Sequence, residues 1–380
     1  MLSALAGRPD IVLVSLGTTI GLRVADEAFV RQVRAAGATC ALAPVQIGVE
    51  GRLRVSMALT DAVEAVAARR AARGVVGTGA GPRAGAIVYS SVTAALLQPT
   101  RAPAAVRFDA IAAQNRAGAG GAWQRRRERT VLGRVSLLLP WSEAAAQAAL
   151  IAARPGAPPA VVLPPPVAPG TSQGGRGASE GGRGAGGGAT AASVEPPDAV
   201  AYAGNPHKRG VDLLCEAWSA ARPEGARMAV AGLTRGEALS WLRKAGSAEP
   251  PGVEWLGAVP HERWLALVAG ARVFVNASRH EDWGLAQMEA LAAGTPLVTV
   301  PSGGTGVALP LARRLAPALV APDRSAAALA AALRTGLGLD LAARRAYARE
   351  AARLLEPYRD EALSRRVADE VLPVLLGSSA

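Results

Sequence analysis

Two carboxylates, Glu281 and Glu289, stand with seven residues between them in the stretch VFVNASRHEDWGLAQMEALAAGTPLVTVPSGG, residues 273–304. Spacing alone says little, because chance often supplies such a pair. Placement says more. An apolar run ends near Ser278, a loop carries His280, Glu281 and Asp282, and a helix is expected from about Gly284. In α/β proteins ligands sit outside the carboxyl ends of strands, where this loop belongs. Glu289 falls about one and a half turns into the helix and still faces the same way. The first turn of that helix offers unbonded N–H groups and the positive end of its dipole to a diphosphate. Gly284 has no Cβ to hold such an anion away from the backbone.

Two cations complete the pattern. Lys208 and Arg209 lie in the loop Gly204-Asn205-Pro206-His207-Lys208-Arg209-Gly210. A bond broken at a phosphate-bearing ligand leaves negative charge on the departing phosphate. A cation placed there beforehand stabilises the transition state more than the ground state. No Asp-x-Asp metal signature is evident, so protein cations would replace a metal. The plain alternative is a solvated turn and a surface carboxylate.

Other features are less specific. Gly17-Thr18-Thr19-Ile20-Gly21 is not G-x-G-x-x-G and lacks the lysine of a P-loop. Gly17 either lets the backbone approach a ligand or makes a tight strand–helix turn. Asp109, after Arg107-Phe108, stands at a strand end as a candidate acceptor-side group or as a helix cap. His207, His261 and His280 all lie in the second half, so the first half supplies no histidine base. Arg125-Arg126-Arg127-Glu128-Arg129, behind Trp123, is either a contact for an anionic acceptor or membrane surface, or a solvated helix face.

These residues need a frame, and 380 residues with half of them hydrophobic make two domains of ordinary size. Cys40 and Cys215 have neither disulfide-framework nor zinc spacing. No apolar run reaches the ~18 residues that span a bilayer, and the N-terminal ten residues lack a signal peptide's apolar core. The expected location is cytoplasmic, at most peripheral to a membrane. The charge is uneven: residues 1–167 carry net +10 and the remainder net +2. Such a field favours anionic partners, although the near-absence of lysine (Lys208 and Lys244 only) also fits an arginine-biased composition. No nucleic-acid motif appears.

Along the chain, strand-like runs at Ile11–Leu16, Cys40–Ala43, Ala86–Tyr89, Ala104–Phe108 and Leu137–Leu139 alternate with helical periods at Ala25–Ala36 and Ala62–Ala72. Val161–Leu163 closes this half. Residues 169–197 are nearly all Gly, Ala, Ser and Arg, which reads as a flexible linker. The pattern restarts with strands at Ala199–Ala203, Met228–Ala231, Val253–Trp255, Val273–Asn276 and Pro296–Val300. Helices are expected at Val211–Ala220, His261–Ala269, Gly284–Ala293 and, after Asp323, through Leu341–Leu355. Alternating strands and helices imply parallel sheets. The expected domains are 1–168, a linker over 169–197, a second domain over 198–340, and C-terminal helices over 341–380 packing back toward the first domain.

Residues 273–304 resemble the donor-site motif E-x7-E of glycosyltransferase family 4. Gly294-Thr295-Pro296-Leu297-Val298 and Tyr202–Ala217 (YAGNPHKRGVDLLCEA) are similar to the same family. The resemblance covers most of residues 199–320 and is weaker in the first half. It implies the GT-B fold, two Rossmann-like domains facing across a cleft, and a retaining, metal-independent hexosyltransferase with no cofactor beyond its nucleotide-sugar donor. The acceptor is a glycan, a lipid-linked group or a small molecule, with no nucleic acid. Carried over, Glu281 would bond the donor sugar's hydroxyls and Glu289 the ribose hydroxyls. Backbone groups of Trp283, Gly284 and Leu285, beside Asp282, would hold sugar and phosphate. Arg209, with Lys208, would neutralise the diphosphate. The family often has Arg where this chain has Asn205, so both charges would come from Lys208 and Arg209. The rival readings are a nucleotide-sugar 2-epimerase, which needs acidic and histidine groups scarce in the first half, and a non-catalytic nucleotide-sugar-binding protein.

Overall fold

The computed structural model describes residues 8–18, 20–48, 57–76, 84–98, 103–116, 118–153, 156–168 and 196–377. The linker expected over 169–197 lies outside these except for its last two residues, and so does Thr19 of the glycine loop. The chain divides into two compact units. One holds Met1–Val167, Gly304–Val307 and Glu356–Ala380; the other holds Ala168–Gly303 and Ala308–Leu355.

In the first unit β1 (Ile11–Ser15), β2 (Cys40–Pro44), β3 (Ala86–Tyr89), β4 (Ala104–Phe108) and β5 (Leu137–Pro140) form one parallel sheet in the order β2-β1-β3-β4-β5. The strands are short, nearly continuous apolar runs because both faces are covered. Alternate side chains separate into two cores. Val12, Val14, Ile87, Tyr89, Val106 and Leu138 pack under the helices Met57–Val76, Ala122–Leu132 and Glu143–Ala153. Ile11, Leu13, Val88, Ala105, Leu137 and Leu139 pack under the helix Ile20–Ala35 and the C-terminal residues Leu363, Val367, Val371 and Leu375. The end of the chain therefore completes the first sheet's second face. Val161–Leu163 runs beside β5 without becoming a strand. Its amides donate to the carbonyls of Leu138 and Pro140 at 2.9 and 2.8 Å, and Pro164-Pro165-Pro166 has no N–H to continue a ladder.

In the second unit β6 (Ala199–Tyr202), β7 (Met228–Ala231), β8 (Val253–Gly257), β9 (Val273–Asn276) and β10 (Leu297–Thr299) are parallel in the order β10-β9-β6-β7-β8. Chain order reverses between β6 and β9. Loops leaving two such strands diverge to opposite faces and open a crevice at the carboxyl edge. Those loops carry Lys208, Arg209 and Glu281. The helix Leu341–Leu354 belongs to this unit, and its Tyr347 hydroxyl accepts from the Leu297 amide at 3.1 Å. Among the described residues no single helix is long and apolar enough to cross a membrane.

Candidate functional site

The loop after β6 contains one helical turn, Pro206–Arg209, where irregular chain was expected. Asn205 caps it, its Oδ1 accepting from the Lys208 amide at 2.9 Å. Pro206 suits the first helical position because its missing N–H would be unbonded there. Gly210 ends the turn in the left-handed region, φ 61°, and a Cβ there would drive into the Ala277 carbonyl oxygen. The turn thus lies directly against the chain leaving β9, and Arg279 N donates to Lys208 O at 2.8 Å.

That chain turns at Gly284, φ 86°, which caps the helix Leu285–Ala292 without a side-chain hydrogen bond. The amides of Leu285, Ala286 and Gln287 begin this helix and lie beyond reach of its internal ladder. Glu281 is held from several sides. Its amide donates to Gly303 O at 2.8 Å, its Oε2 accepts from Gln287 Nε2 at 2.9 Å, and the same oxygen pairs with Arg209 Nη1. Oε1 makes no hydrogen bond among the described residues. Glu281 is 4% exposed and its carboxyl group is paired with the Arg209 guanidinium, which also lies over the Tyr202 ring, 5.4 Å from its centroid.

Asp282 makes a second, more open pair. Lys208 Nζ lies 2.8 Å from Oδ2 and His280 Nε2 lies 2.9 Å from Oδ1. Burial alone would raise this carboxyl, but Lys208 and then His280 outweigh it and hold it below the ordinary carboxylate value. Glu289, on the helix, accepts from Trp264 Nε1 at 2.7 Å through Oε2, and its Oε1 meets His261 Nε2 at 2.8 Å. Hydrogen bonding to the accepting Glu289 carboxylate raises the His261 imidazole above its usual value. Trp264 in turn meets the Tyr202 ring edge-to-face at 5.7 Å. A chain of contacts therefore runs from Glu289 through Trp264, Tyr202 and Arg209 to Glu281. Trp283 is buried beside it, and Leu285 is half-buried.

The structure brings Asn205, Lys208, Arg209, Glu281, Asp282, Trp283, Gly284, Leu285 and Glu289 to one edge of the second sheet. Gly17 and Asp109 belong to the first unit. Gly17 adopts φ 52° just after β1, and its carbonyl accepts from Arg23 Nη1 at 3.0 Å. Asp109 follows β4, and its carbonyl accepts from Thr305 Oγ1 at 2.9 Å. It does not cap the helix Ala112–Asn115, whose N-cap is Ile111.

The basic run after Trp123 is not an open cationic face. Arg127 donates to Leu96 O at 2.9 and 3.2 Å, Arg125 to Arg116 O, and Glu128 is buried on the Ala112 amide; Arg126 and Arg129 are exposed. A helix puts neighbours in sequence on different sides, and the charge run in the sequence concealed that.

Sequence reading missed Gln287, Trp264, His261, Tyr202 and Arg324. Gln287 was within sight, in the first turn of the helix that carries Glu289. Arg324 was not. Its guanidinium donates to the carbonyls of Ala277, Ser278 and Pro301, holding the loop after β9 from 47 and 46 residues beyond Ala277 and Ser278 by a contact with no local signature.

Residues 197–338, under half of the chain, match the family model described as Glycosyl transferases group 1. No curated protein matches the sequence. Similar solved structures include HepE of Anabaena in complex with UDP-glucose, with TM-score 0.67, 14% identity and coverage of 94% of this chain and 98% of that one. Sucrose-phosphate synthase from Thermosynechococcus elongatus gives 0.66, 17%, 95% and 97%. WaaG, a glycosyltransferase involved in lipopolysaccharide biosynthesis, gives 0.65, 16%, 94% and 98%. The fold is GT-B, and the matched segment, which contains the whole cluster around Glu281 and Glu289, is a glycosyltransferase domain.

Proposed function

We propose that this chain, a glycosyltransferase by the domain it carries, moves a sugar from a nucleoside-diphosphate donor to an acceptor hydroxyl with retention of configuration and without a metal. One observation carries the reading: Glu281, Arg209 and Lys208 are assembled at the strand-order reversal of the second sheet, beside a helix whose first amides are not capped. Glu281 Oε1 takes a hydroxyl of the donor sugar. The diphosphate lies along the amides of Leu285 to Gln287, and Lys208 and Arg209 neutralise it as the glycosidic bond to phosphate breaks. Glu289 takes the ribose. The retaining course is a front-face displacement in which the departing phosphate oxygen accepts the proton of the attacking hydroxyl. Complexes of structural neighbours with UDP or UDP-glucose agree with this class of donor. Two buried free cysteines, Cys40 and Cys215, agree with a reducing, cytoplasmic setting.

The test is donor turnover. Incubation with a panel of nucleotide sugars and no acceptor should give slow hydrolysis of one donor, and the α or β configuration of an added acceptor's product, read by NMR, should equal the donor's. Inversion would end the retaining reading. Binding without any turnover would favour a non-catalytic sugar-nucleotide protein, and a C2 epimer of the donor's sugar as product would favour the epimerase.

A further inference from the structure

Glu289 is held more firmly than a surface carboxylate needs to be. It stands at the fifth position of the helix Leu285–Ala292 on a flexible stem, whose rotational freedom would be lost on ligand binding. Here both oxygens already have partners on another helix, His261–Gly270. His261 stands at its first residue, behind Pro260. Trp264, one turn on, is 6% exposed and is fixed by edge-to-face contacts with Tyr202 at 5.7 Å and Phe274 at 6.0 Å. Its indole cannot turn without breaking both.

The chemistry of these partners determines what Glu289 can accept next. An indole N–H only donates, so Oε2 is an acceptor. His261 faces Oε1, and the negative carboxylate is what holds its imidazole toward the protonated, donating form. Glu289 therefore has one lone-pair direction on each oxygen spent, on His261 and on Trp264, and one remaining. The fitting ligand presents two adjacent hydroxyl donors, a cis-diol. A deoxyribose offers one donor and a dideoxyribose none.

We propose that Trp264 and His261 are positioning residues that lock Glu289 as a two-oxygen acceptor and so make the site select ribonucleotide over deoxyribonucleotide donors. The proposal rests on the reading of Glu289 as the ribose-binding group. A site built to bond a hydroxyl discriminates against the analogue lacking it, because its own polar atoms then go unmatched.

Calorimetry with uridine, guanosine and adenosine diphosphates identifies the tightest, which is then compared with its 2′,3′-dideoxy analogue. The wild-type protein should bind the ribose form at least ten-fold more tightly. Trp264→Phe keeps the ring contacts and loses the N–H; His261→Ala loses the second partner. Each should narrow the gap three-fold or more by weakening the ribose form, with dideoxy affinity unchanged. His261→Gln, whose amide reaches the same place, should restore most of it. Under turnover the donor KM should rise while kcat stays within two-fold. Equal weakening of both ligands, or of neither, overturns the proposal and leaves the donor site standing. A wild-type protein that does not distinguish the two sugars removes Glu289 from the ribose. If no diphosphate binds, the donor-site reading falls and takes this inference with it.

Discussion

At the scale of single residues the site is a set of charges that already have partners. Glu281 and Arg209 are paired, as are Asp282 and Lys208, so a diphosphate bound as proposed would have to take over cations now shared with carboxylates. This sharpens what substitutions should do. Glu281→Gln should lower kcat/KM by about 30- to 150-fold, the loss of one charge-assisted hydrogen bond of about 2–3 kcal/mol in the transition state. Unchanged turnover would put Glu281 outside the chemistry. Lys208→Ala should weaken the free diphosphate far more than the nucleoside, which has no phosphate to neutralise. The fold should be little affected, because His280 still bonds Asp282. Arg209→Ala should share the selective loss and also lower Tm, since it strands the buried Glu281 charge. Calorimetry and melting curves on both variants separate the effects. Equal losses for nucleoside and diphosphate would mean general damage, and none for either would place the turn outside the donor site.

At the scale of elements, the loop after β9 works through its end at Gly284. With φ 86°, any other L-residue there costs about 1–2 kcal/mol, and an added Cβ would lie 3.3 Å from Glu281 Cγ. Gly284→Ala should therefore raise the donor KM through a displaced Glu281 and lower Tm by a few degrees; an unchanged KM would show that the turn does not position the carboxylate. Much of this element was legible. The apolar runs of β9 and β10, Gly284 and the two glutamates are consecutive in the chain, and local order carries them. The helical turn Pro206–Arg209 was hidden because four residues are too few to show a period, although Asn205-Pro206 followed by Gly210 spells its cap, start and stop. The helix Arg235–Ala245 was missed as well, and Ala122–Leu132 was legible only as a possible helix face at its arginine run: their many polar and charged positions blur the apolar stripe. What joins elements was the least legible. Trp264 on Glu289 and Arg324 on three carbonyls are contacts of the folded chain, and nothing local in the sequence specifies them. One element-scale expectation comes from composition alone. Deleting residues 174–192, too poor in apolar groups to build a core, should leave kcat/KM within about two-fold, and a larger fall in a protein that still melts cooperatively would make that stretch functional.

At the scale of the whole molecule, the first unit holds a polar cluster that should govern stability against pH. Glu128 is 4% exposed. Burial pushes its carboxyl up to about 7; the Ala112 amide and Arg116 oppose this, while Asp61 adds to it. Asp61 is itself tied to both Arg116, at 2.8 and 3.1 Å, and Gln124, at 2.8 Å, so the surrounding charges are fixed in place. Below the unfolded value of 4.5 both states of Glu128 are protonated and it has no effect on the pH slope. Between 4.5 and about 7 the unfolded chain has released the proton while the folded chain keeps it. The folded state then binds more protons, so this group's contribution falls as pH rises, by about 3 kcal/mol in all, and is flat above 7. Carboxyls held low, Asp282 among them, act in the opposite sense at lower pH, so the wild-type profile mixes both. Glu128→Gln isolates the one group. It keeps the size and an acceptor for the Ala112 amide but has no proton to lose. Its stability relative to wild type, from urea unfolding, should climb between pH 5 and pH 8 and then level off, whatever constant offset the amide introduces. Parallel profiles across that range would mean that Glu128 is ionised in the folded protein at neutral pH, its charge carried by Arg116 and the Ala112 amide.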